Sequence, residues 1–356
     1  MLKTVKQLVI AVALLTVMSG AELLPGKSIK IYVSDYENVL GTSLEIKIAA
    51  DDEQRAVKAE GAALAEIDRL NKILSGYDSS SEFSRWMKAD KKPTMISTDL
   101  FEVLALFDKW RFKSNGAIDA SAEVISKIWK DASMQNRLPS ASEIAVALRE
   151  VKRLHYKLDE KNHTVLRLTN DPLMLNSFTK SYVMNKASDA VMASAGVIGV
   201  VMNIGGDIQV RGAHMEQIYV SNPKANAEND PPVASIYLRN KTIATSGNYR
   251  RGELINGKWY SHIVDPRTGK PASGVISATV IADGATDAGA LATALNILSL
   301  EEGRQLVASV PGAEFMLITA DGKRLSSAGW KKLENPLPIK DLEPLSSSSK
   351  DKNVGS

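Results

Sequence analysis

The stretch VIGVVMNIGGDIQVRG (Val197–Gly212) does most to decide the fold of this 356-residue chain. Its apolar flanks predict two strands, because apolar runs bounded by turn residues are typical of buried strands. Gly205 and Gly206 predict a tight turn between them, since glycine adopts positive φ at little cost. The backbone N–H groups of such a turn, which Asp207 follows, can also approach a phosphate closely. From these residues alone, an ordinary hairpin turn is the simpler interpretation.

The sequence before this hairpin predicts a helix directly upstream and a strand–strand–helix unit nearer the N-terminus. Ser177–Gly196 has a helical pattern, and Ile29–Ala50 alternates apolar and polar residues on both sides of Gly41 and Thr42, which predicts two strands. The helix that follows should end near Ser75. Its predicted buried face comprises Val57, Leu64, Ile67, Leu70 and Leu74.

Between these units the pattern is less regular. Tyr77–Trp86 predicts a polar loop, and Thr98 predicts the cap of another helix. The apolar stripe of that helix consists of Leu100, Val103, Leu104, Phe107 and Trp110. Val165–Leu175 has a strand-like pattern.

Hairpins dominate the sequence after Gly212. Strands are predicted in Met215–Pro223, Val233–Leu238, Lys241–Ser246 and Ile276–Ala282, and Asn256-Gly257 is a strong hairpin signal. An alanine-rich helix is predicted over Thr286–Leu298, and Ser299 with Glu302 predicts a capping box for another. Strict β–α–β alternation is missing, so the predicted class is α+β, with mixed sheets, antiparallel hairpins and packed helices, and not a doubly wound fold.

The composition excludes several classes of function. The chain is 44% hydrophobic and 24% charged, an ordinary globular balance, and it contains no cysteine. Thiolate nucleophiles, iron–sulfur clusters and cysteine-rich zinc sites are therefore excluded. The formal net charge of +3 includes Lys3 and Lys6 of the N-terminal segment, so the remaining domain is nearly neutral. It therefore lacks the excess positive charge that is typical of nucleic-acid-binding domains.

The N-terminal segment is typical of a secretory signal peptide. Lys3 and Lys6 precede the apolar run Leu8–Met18, and small residues follow at positions 19–21. We expect residues 1–21 to be removed, residues 22–340 to form one domain and residues 341–356 to be a disordered tail. The expected location is periplasmic or extracytoplasmic; an uncleaved N-terminal anchor is the alternative. No cysteine follows the apolar run, so we expect no lipid anchor.

A second polar motif, YSHIVDPRTGKPA (Tyr260–Ala272), combines two prolines, a glycine and several ionisable residues. The prolines and Gly269 predict a loop with a single shape, which loses little entropy on binding a ligand. Of the four histidines only His262 lies in such a motif, and no pair has metal-ligand spacing. Magnesium is compatible with the sequence, because it needs few protein oxygens when phosphates supply the rest.

A third motif, ATSGNYRRG (Ala244–Gly252), carries the pair Arg250 and Arg251. Paired arginines suit phosphate recognition. A solvated strand edge explains the same residues equally well.

The order of these motifs is more specific than any one of them. Eight motifs follow one another over roughly residues 30–310. They are VLGTSLEIKI, ILSGYDSSSEFSRW, IDAS, a lysine-bearing helix start, NIGGD, ATSGNYRR, SHIVDPRTGKP and ALATAL. This arrangement resembles the ApbE family of FAD:protein FMN transferases. The resemblance implies an ApbE (T-fold-like) architecture, FAD as substrate and Mg²⁺ as cofactor. It also implies transfer of FMN to a Thr or Ser hydroxyl with release of AMP, the acceptors being flavoprotein subunits of respiratory redox complexes.

The resemblance also assigns roles to individual residues. Leu40, where the family usually has Met, is implied to contact flavin or adenine, and so are Tyr77, Ile118, Asp119, Ala120 and Lys180. Further implied FAD-site residues are Asn203, Gly205, Gly206, Asp207 and Val264, with His262–Pro271 as one wall. The implied metal ligands are Ser177, Asp287 and Thr293, and the implied catalytic residues are Asp287, Thr293 and His262.

The sequence departs from the family pattern at two places. The family has D-L-G-G-x-A-K-G before and around the lysine, whereas this chain has MLNSFTKS (Met174–Ser181). The family's metal-binding aspartate, four residues before Thr293, falls on Gly289. Asp287 can replace it only if the helix begins at about Ala288, and Asp283 is a second candidate. Two further hypotheses stay open: a relative that binds FAD without transfer, and an interaction role through residues 212–232.

Overall fold

The computed structural model of the chain describes residues 5–10, for which only the backbone is described, together with residues 28–224 and 231–334. The rest of the predicted signal peptide and the predicted tail lie outside the described residues. The helices of the described part are α1 Glu53–Leu74, α2 Glu82–Lys88, α3 Thr98–Lys113, α4 Ala122–Met134, α5 Ala141–Val151, α6 Asn176–Met192, α7 Ala285–Ile297, α8 Leu300–Ala308 and α9 Ala328–Glu334. In this part of the chain, no helix is long and apolar enough to span a bilayer.

The strands of the described part come in one large set and several short hairpins. They are β1 Val5–Ile10, β2 Lys30–Val39, β3 Thr42–Ala50, β4 Thr94–Met95, β5 Tyr156–Asp159, β6 Thr164–Arg167, β7 Val197–Ile204, β8 Asp207–Gly212, β9 Glu216–Val220, β10 Ala234–Leu238, β11 Lys241–Gly247, β12 Gly252–Ile255, β13 Lys258–Ser261, β14 Val264–Asp265, β15 Lys270–Pro271, β16 Val275–Ala282, β17 Glu314–Thr319 and β18 Arg324–Ser326.

A nine-stranded sheet forms the centre, in the order β1-β2-β3-β7-β8-β11-β16-β17-β18. Every neighbouring pair in it is antiparallel. The quoted stretch Val197–Gly212 forms β7 and β8 in the middle of this sheet, joined by its glycine turn. The α+β class is therefore confirmed.

Helices α1, α6 and α7 cover one face of the sheet and bury the main core against it. The alanines of α7 allow close packing, since Ala288, Ala290 and Ala294 are fully buried. On the other face a smaller core lies beneath the β9–β10 hairpin and α9, around the fully buried Trp330. A third cluster joins α4 and α5 to the β12–β13 hairpin and to β14.

Most predicted elements are confirmed, and the errors have local causes. Residues 77–86 are not entirely a loop, because Ser81 caps α2 and Phe83 and Trp86 are buried. Val57 does not belong to the buried face of α1: it is 48% exposed, and alanines occupy that face instead. The cap of α3 is Ser97 and not Thr98.

The predicted strand-like segment Val165–Leu175 is mostly not a strand, because β6, Thr164–Arg167, includes only its first three residues. The capping box of Ser299 and Glu302 is present at α8. Helices α4 and α5 were not predicted from the sequence.

Candidate functional site

The N-terminal part of α6 meets the glycine turn through a lysine–aspartate pair. Lys180 Nζ lies 2.6 Å from Asp207 Oδ2. The same carboxylate accepts a hydrogen bond from the backbone N–H of Thr245 at 3.1 Å. Asp207 is 5% exposed, whereas the Lys180 side chain keeps 35% of its surface exposed. The pair therefore ties α6, the turn and β11 together while leaving part of the lysine accessible to a ligand.

The two glycines of the turn have different surroundings. Gly205 has φ +58°, and a Cβ there would lie 2.5 Å from Thr42 Oγ1, so the turn packs tightly against the β2–β3 turn that begins at Leu40. Gly206 has φ +91° and nothing within 4 Å of the corresponding position. Its N–H donates to Asn203 Oδ1 at 3.0 Å. The turn is thus closed on one side and open on the other.

Two distant loops reach the start of α6. Asn176 Nδ2 donates to the hydroxyl oxygen of Tyr77 at 2.9 Å, and Tyr77 is 80% exposed. The backbone N–H of Met174 donates to the carbonyl oxygen of Ala120 at 2.9 Å. The structure therefore brings Tyr77 and the 118–120 loop to the same end of α6 as Lys180.

The 118–120 loop is fixed by burial and by an ion pair. Ile118 and Ala120 are buried, and Asp119 forms an ion pair with Arg111, the Nε–Oδ2 distance being 2.8 Å. Arg111 also donates to the carbonyl oxygen of Val151 at 3.0 Å. Arg111 has no signal in the sequence, because its partners Asp119 and Val151 are not its neighbours in the chain.

The elbow at residues 262–271 is rigid, and its hydrogen bonds explain why. The Asp265 carboxylate accepts from the backbone N–H of Arg267 at 2.9 Å and from its guanidinium, which also reaches Glu302 at 3.0 Å. Gly269 has φ +72°, and its carbonyl oxygen accepts from Trp129 Nε1 at 2.9 Å. Val264 is buried beneath this turn, so its side chain supports the wall and does not line an open surface.

His262 lies at the start of the elbow with part of its surface exposed. Its Nδ1 donates to the carbonyl oxygen of Arg251 at 2.9 Å, which fixes the Nδ1–H form of the neutral ring. Desolvation by the surrounding protein lowers the pKa of His262 below its usual value. The ring is therefore neutral at pH 7, with Nε2 free to accept a proton.

Helix α7 crosses α6 at Gly289. A Cβ at Gly289 would lie 3.5 Å from both Cβ and Oγ of Ser181 and 4.0 Å from the carbonyl oxygen of Ser177. Thr293 lies one turn further on, and its hydroxyl donates to the carbonyl oxygen of Gly289 at 3.0 Å. The crossing therefore brings together hydroxyl and carbonyl oxygens but no carboxylate.

The two carboxylates proposed as substitutes do not reach this crossing. Helix α7 begins at Ala285, so Asp287 lies in its first turn, about 200° around the axis from Gly289. The later start that Asp287 required is not found. Asp283 pairs with Lys241 at 2.5 Å with 71% of its side chain exposed, at the end of β16 away from the glycine turn.

A magnesium site of the implied kind does not fit these residues. Ser177 and Thr293 supply hydroxyls near Gly289, but Mg²⁺ in proteins is usually held by one or two carboxylates in addition to substrate phosphates. Among residues 28–224 and 231–334, no three Asp, Glu, His or Cys side chains are grouped so as to hold a metal ion.

A cavity of about 840 Å³ lies elsewhere, between α3, α6 and β8. Of the site residues named from the resemblance, Asp283, the second candidate for the missing carboxylate, lines it and the others do not. Lys186 in it pairs with Glu102 at 3.1 Å, and Arg211 pairs with Asp189. Lys186 is about 120° around α6 from Lys180, so the two lysines face different sides of that helix. This cavity is thus distinct from the N-terminal end of α6, where Lys180 and Tyr77 lie.

Comparisons with known proteins show which family the sequence matches. The sequence model of the ApbE family matches residues 40–317. A FAD:protein FMN transferase of Treponema pallidum is 27% identical over 342 residues, which are 89% of this chain and 92% of that protein. The enzyme of the same name from Klebsiella pneumoniae is 25% identical over 288 residues, 78% of this chain and 82% of that protein.

Solved structures show the same fold. An ApbE protein of Thermotoga maritima has a TM-score of 0.75 at 25% identity, covering 85% of this chain and 99% of that one. The flavinyl transferase ApbE of Pseudomonas stutzeri, in its apo form, has a TM-score of 0.72 at 22% identity, covering 86% of this chain and 97% of that one.

Proposed function

The chain belongs to the ApbE family, and on this premise we propose that it is an FAD:protein FMN transferase. The acceptor is a Thr or Ser hydroxyl of a flavoprotein. Its oxygen forms a bond to the phosphorus of the FMN half, the pyrophosphate P–O bond breaks, AMP leaves, and the hydroxyl proton is released. The product is a flavin joined to the acceptor by a phosphoester bond.

One observation carries this proposal: residues matched separately to the family's FAD site converge at the N-terminal end of α6. Lys180 is paired with Asp207 there but keeps 35% of its side chain exposed. The N-terminus of α6 has no side-chain cap, so it presents backbone N–H groups that favour phosphate oxygens, and the open side of Gly206 leaves room for a ligand. We infer that this end of α6 holds the FAD pyrophosphate.

The remaining residues have positions suited to the rings of FAD. Tyr77 is exposed and has its hydroxyl oriented by Asn176, so its ring is available for stacking. The elbow supplies a rigid wall, with the neutral His262 at its start. His262 Nε2 is a candidate base for the acceptor hydroxyl proton.

A second candidate function is binding of FAD without transfer, and Gly289 favours it. The family's metal-binding carboxylate is missing there, and neither Asp287 nor Asp283 replaces it in the structure. The proposal for transfer therefore routes no step through a metal ion. FAD binding is common to both candidates.

We also propose the partners and location implied by the resemblance. The acceptors are flavoprotein subunits of respiratory redox complexes. The signal-peptide pattern of residues 1–21 supports an exported, periplasmic or extracytoplasmic site of action.

The test is a transfer assay on the purified chain with FAD, magnesium and a flavin-acceptor domain that carries a Ser/Thr target. A fluorescent flavin band that survives a denaturing gel, with AMP released in equal amount, establishes the transferase. Adding EDTA shows whether transfer depends on a metal despite Gly289. If no band forms but FAD raises the melting temperature, the second candidate is correct.

A further inference from the structure

The β12–β13 hairpin presents an exposed apolar pair beside the elbow. Leu254 and Trp259 are directly opposite each other across the hairpin and are 64% and 44% exposed. The other face of the hairpin is anchored: Ile255 is 1% exposed, and the ring of Tyr260 packs 5.1 Å from that of Trp129. One face therefore fixes the hairpin and the other offers large side chains to a partner.

Trp259 is held in place although it is exposed. Its Nε1 donates to the carbonyl oxygen of Asn248 at 3.0 Å. Its ring lies over Gly252, where a Cβ would be 2.9 Å from Trp259 Cζ2. A ring fixed in advance loses little entropy on binding, and tryptophan is enriched among the residues that dominate interface energies.

The chain next to this pair is basic. Arg250 and Arg251, which directly precede β12, are both exposed. Glu253, the acidic residue of the hairpin, is engaged with Ser133 Oγ at 2.6 Å on the anchored face. A partner with acidic residues would therefore be complementary to this surface.

The hairpin is joined closely to the candidate FAD site. Asn248, which accepts from Trp259, donates to the carbonyl oxygen of Val275 at 2.6 Å. It follows shortly after Thr245, whose N–H donates to Asp207. Three residues of extended chain span about 10 Å. A polypeptide bound at Trp259 would therefore lie within a few residues' reach of the site.

We propose that Arg251, Leu254 and Trp259 form a docking face for the acceptor polypeptide. The bound segment carries acidic and apolar residues next to its target hydroxyl. This inference rests on the proposed function, because a transferase must bring an acceptor hydroxyl to the FAD pyrophosphate. An acidic polypeptide is favoured over a membrane surface because two apolar side chains provide too little area for stable membrane attachment.

The test uses two fluorescein-labelled peptides with a central threonine. One has leucines and aspartates as neighbours, and the other has lysines in place of the aspartates. Binding to the full chain is measured by fluorescence anisotropy. We expect the aspartate peptide to bind, and the double variant Arg251→Gln/Leu254→Ser and the single variant Trp259→Ala each to bind it about tenfold more weakly, or worse.

The matched control is Tyr219→Ser/Tyr237→Ser, which removes two aromatic residues that are 61% and 41% exposed on the distant β9–β10 hairpin. It should bind the aspartate peptide as the unaltered chain does. Equal binding by all variants, or equal binding of both peptides, would overturn the proposal. So would a chain that binds neither peptide but sediments with anionic vesicles in an Arg251- and Leu254-dependent way.

The two proposals fail differently. If the docking face is wrong, the variants keep their covalent flavin transfer with an unchanged KM for the acceptor. If the transferase is wrong, the unaltered chain gives no covalent flavin band, whatever the peptides do. FAD-induced thermal stabilisation should be the same in Trp259→Ala as in the unaltered chain, which shows that the FAD site is intact.

Discussion

Helix α6 separates two polar regions that look similar in composition and differ in construction. At its N-terminal end, Lys180 pairs with the buried Asp207 beside a glycine turn whose backbone is accessible. Beside its C-terminal half, Lys186 pairs with Glu102 in the cavity of about 840 Å³. The cavity contains two ion pairs, Lys186 with Glu102 and Arg211 with Asp189. The region at the N-terminal end of α6 differs in having a helix start without a side-chain cap and an exposed glycine turn, and we propose that it binds the pyrophosphate.

The largest expected difference between the two regions concerns their aspartates. Asp207→Ala should lower the free energy of unfolding by about 3 kcal/mol, because it leaves a lysine and the N–H of Thr245 without their buried acceptor. Asp283→Ala should cost about 0.5 kcal/mol or less, since that carboxylate pairs with Lys241 while 71% exposed. Urea denaturation of both variants measures the difference. Equal losses of unfolding free energy would show that the Lys180–Asp207 pair stabilises the protein no more than an exposed ion pair does.

The next effect concerns the glycine turn. Gly205→Ala should destabilise the protein by roughly 2 kcal/mol, because φ is +58° and the new Cβ would meet Thr42 Oγ1 at 2.5 Å. Gly257→Ala is the matched control: φ is +74° but no atom lies within 4 Å, so a loss of about 1 kcal/mol is expected from the backbone alone. Thermal denaturation compares the two variants. If Gly205→Ala lowered the stability no more than Gly257→Ala, the contact between the glycine turn and Thr42 of β3 would not constrain residue 205.

A smaller effect of opposite sign is expected at the α6–α7 crossing. Gly289→Ala should raise the free energy of unfolding by about 0.5–1 kcal/mol, because glycine is unfavourable inside a helix and the added Cβ meets Ser181 only at ordinary contact distance, 3.5 Å. Chemical denaturation is the measurement. A loss of stability would show that the crossing has no room for a side chain, and then Gly289 would be required by packing.

The local parts of this site could be predicted from the sequence. The glycine turn, the elbow and the Asn256-Gly257 hairpin each depend on residues close together in the chain, and all three occur where the sequence placed them. The antiparallel sheet follows from the hairpin signals. Helix α2 was missed because its signal is short: one capping serine and two buried aromatic residues, Phe83 and Trp86.

The contacts that unite these parts could not be predicted in the same way. The pairing of Lys180 with Asp207 and the approach of Ser181 to Gly289 depend on how helices pack on the sheet. The resemblance to a family identified Lys180 and Asp207 as site residues, but it could not give the start of α7 at Ala285, which removes Asp287 from the crossing. The cavity of about 840 Å³ has no sequence signal, because its lining residues come from segments far apart in the chain.

The central claim is that FAD binds at the Lys180 side of α6 and not in the cavity lined by Lys186. Titration of the chain with FAD, followed by flavin fluorescence, tests it directly with two matched variants on the same helix. We predict that Lys180→Met weakens FAD binding at least about tenfold, whereas Lys186→Met leaves the dissociation constant unchanged. Loss of FAD binding in Lys186→Met with normal binding in Lys180→Met would contradict the account and place the flavin in the cavity.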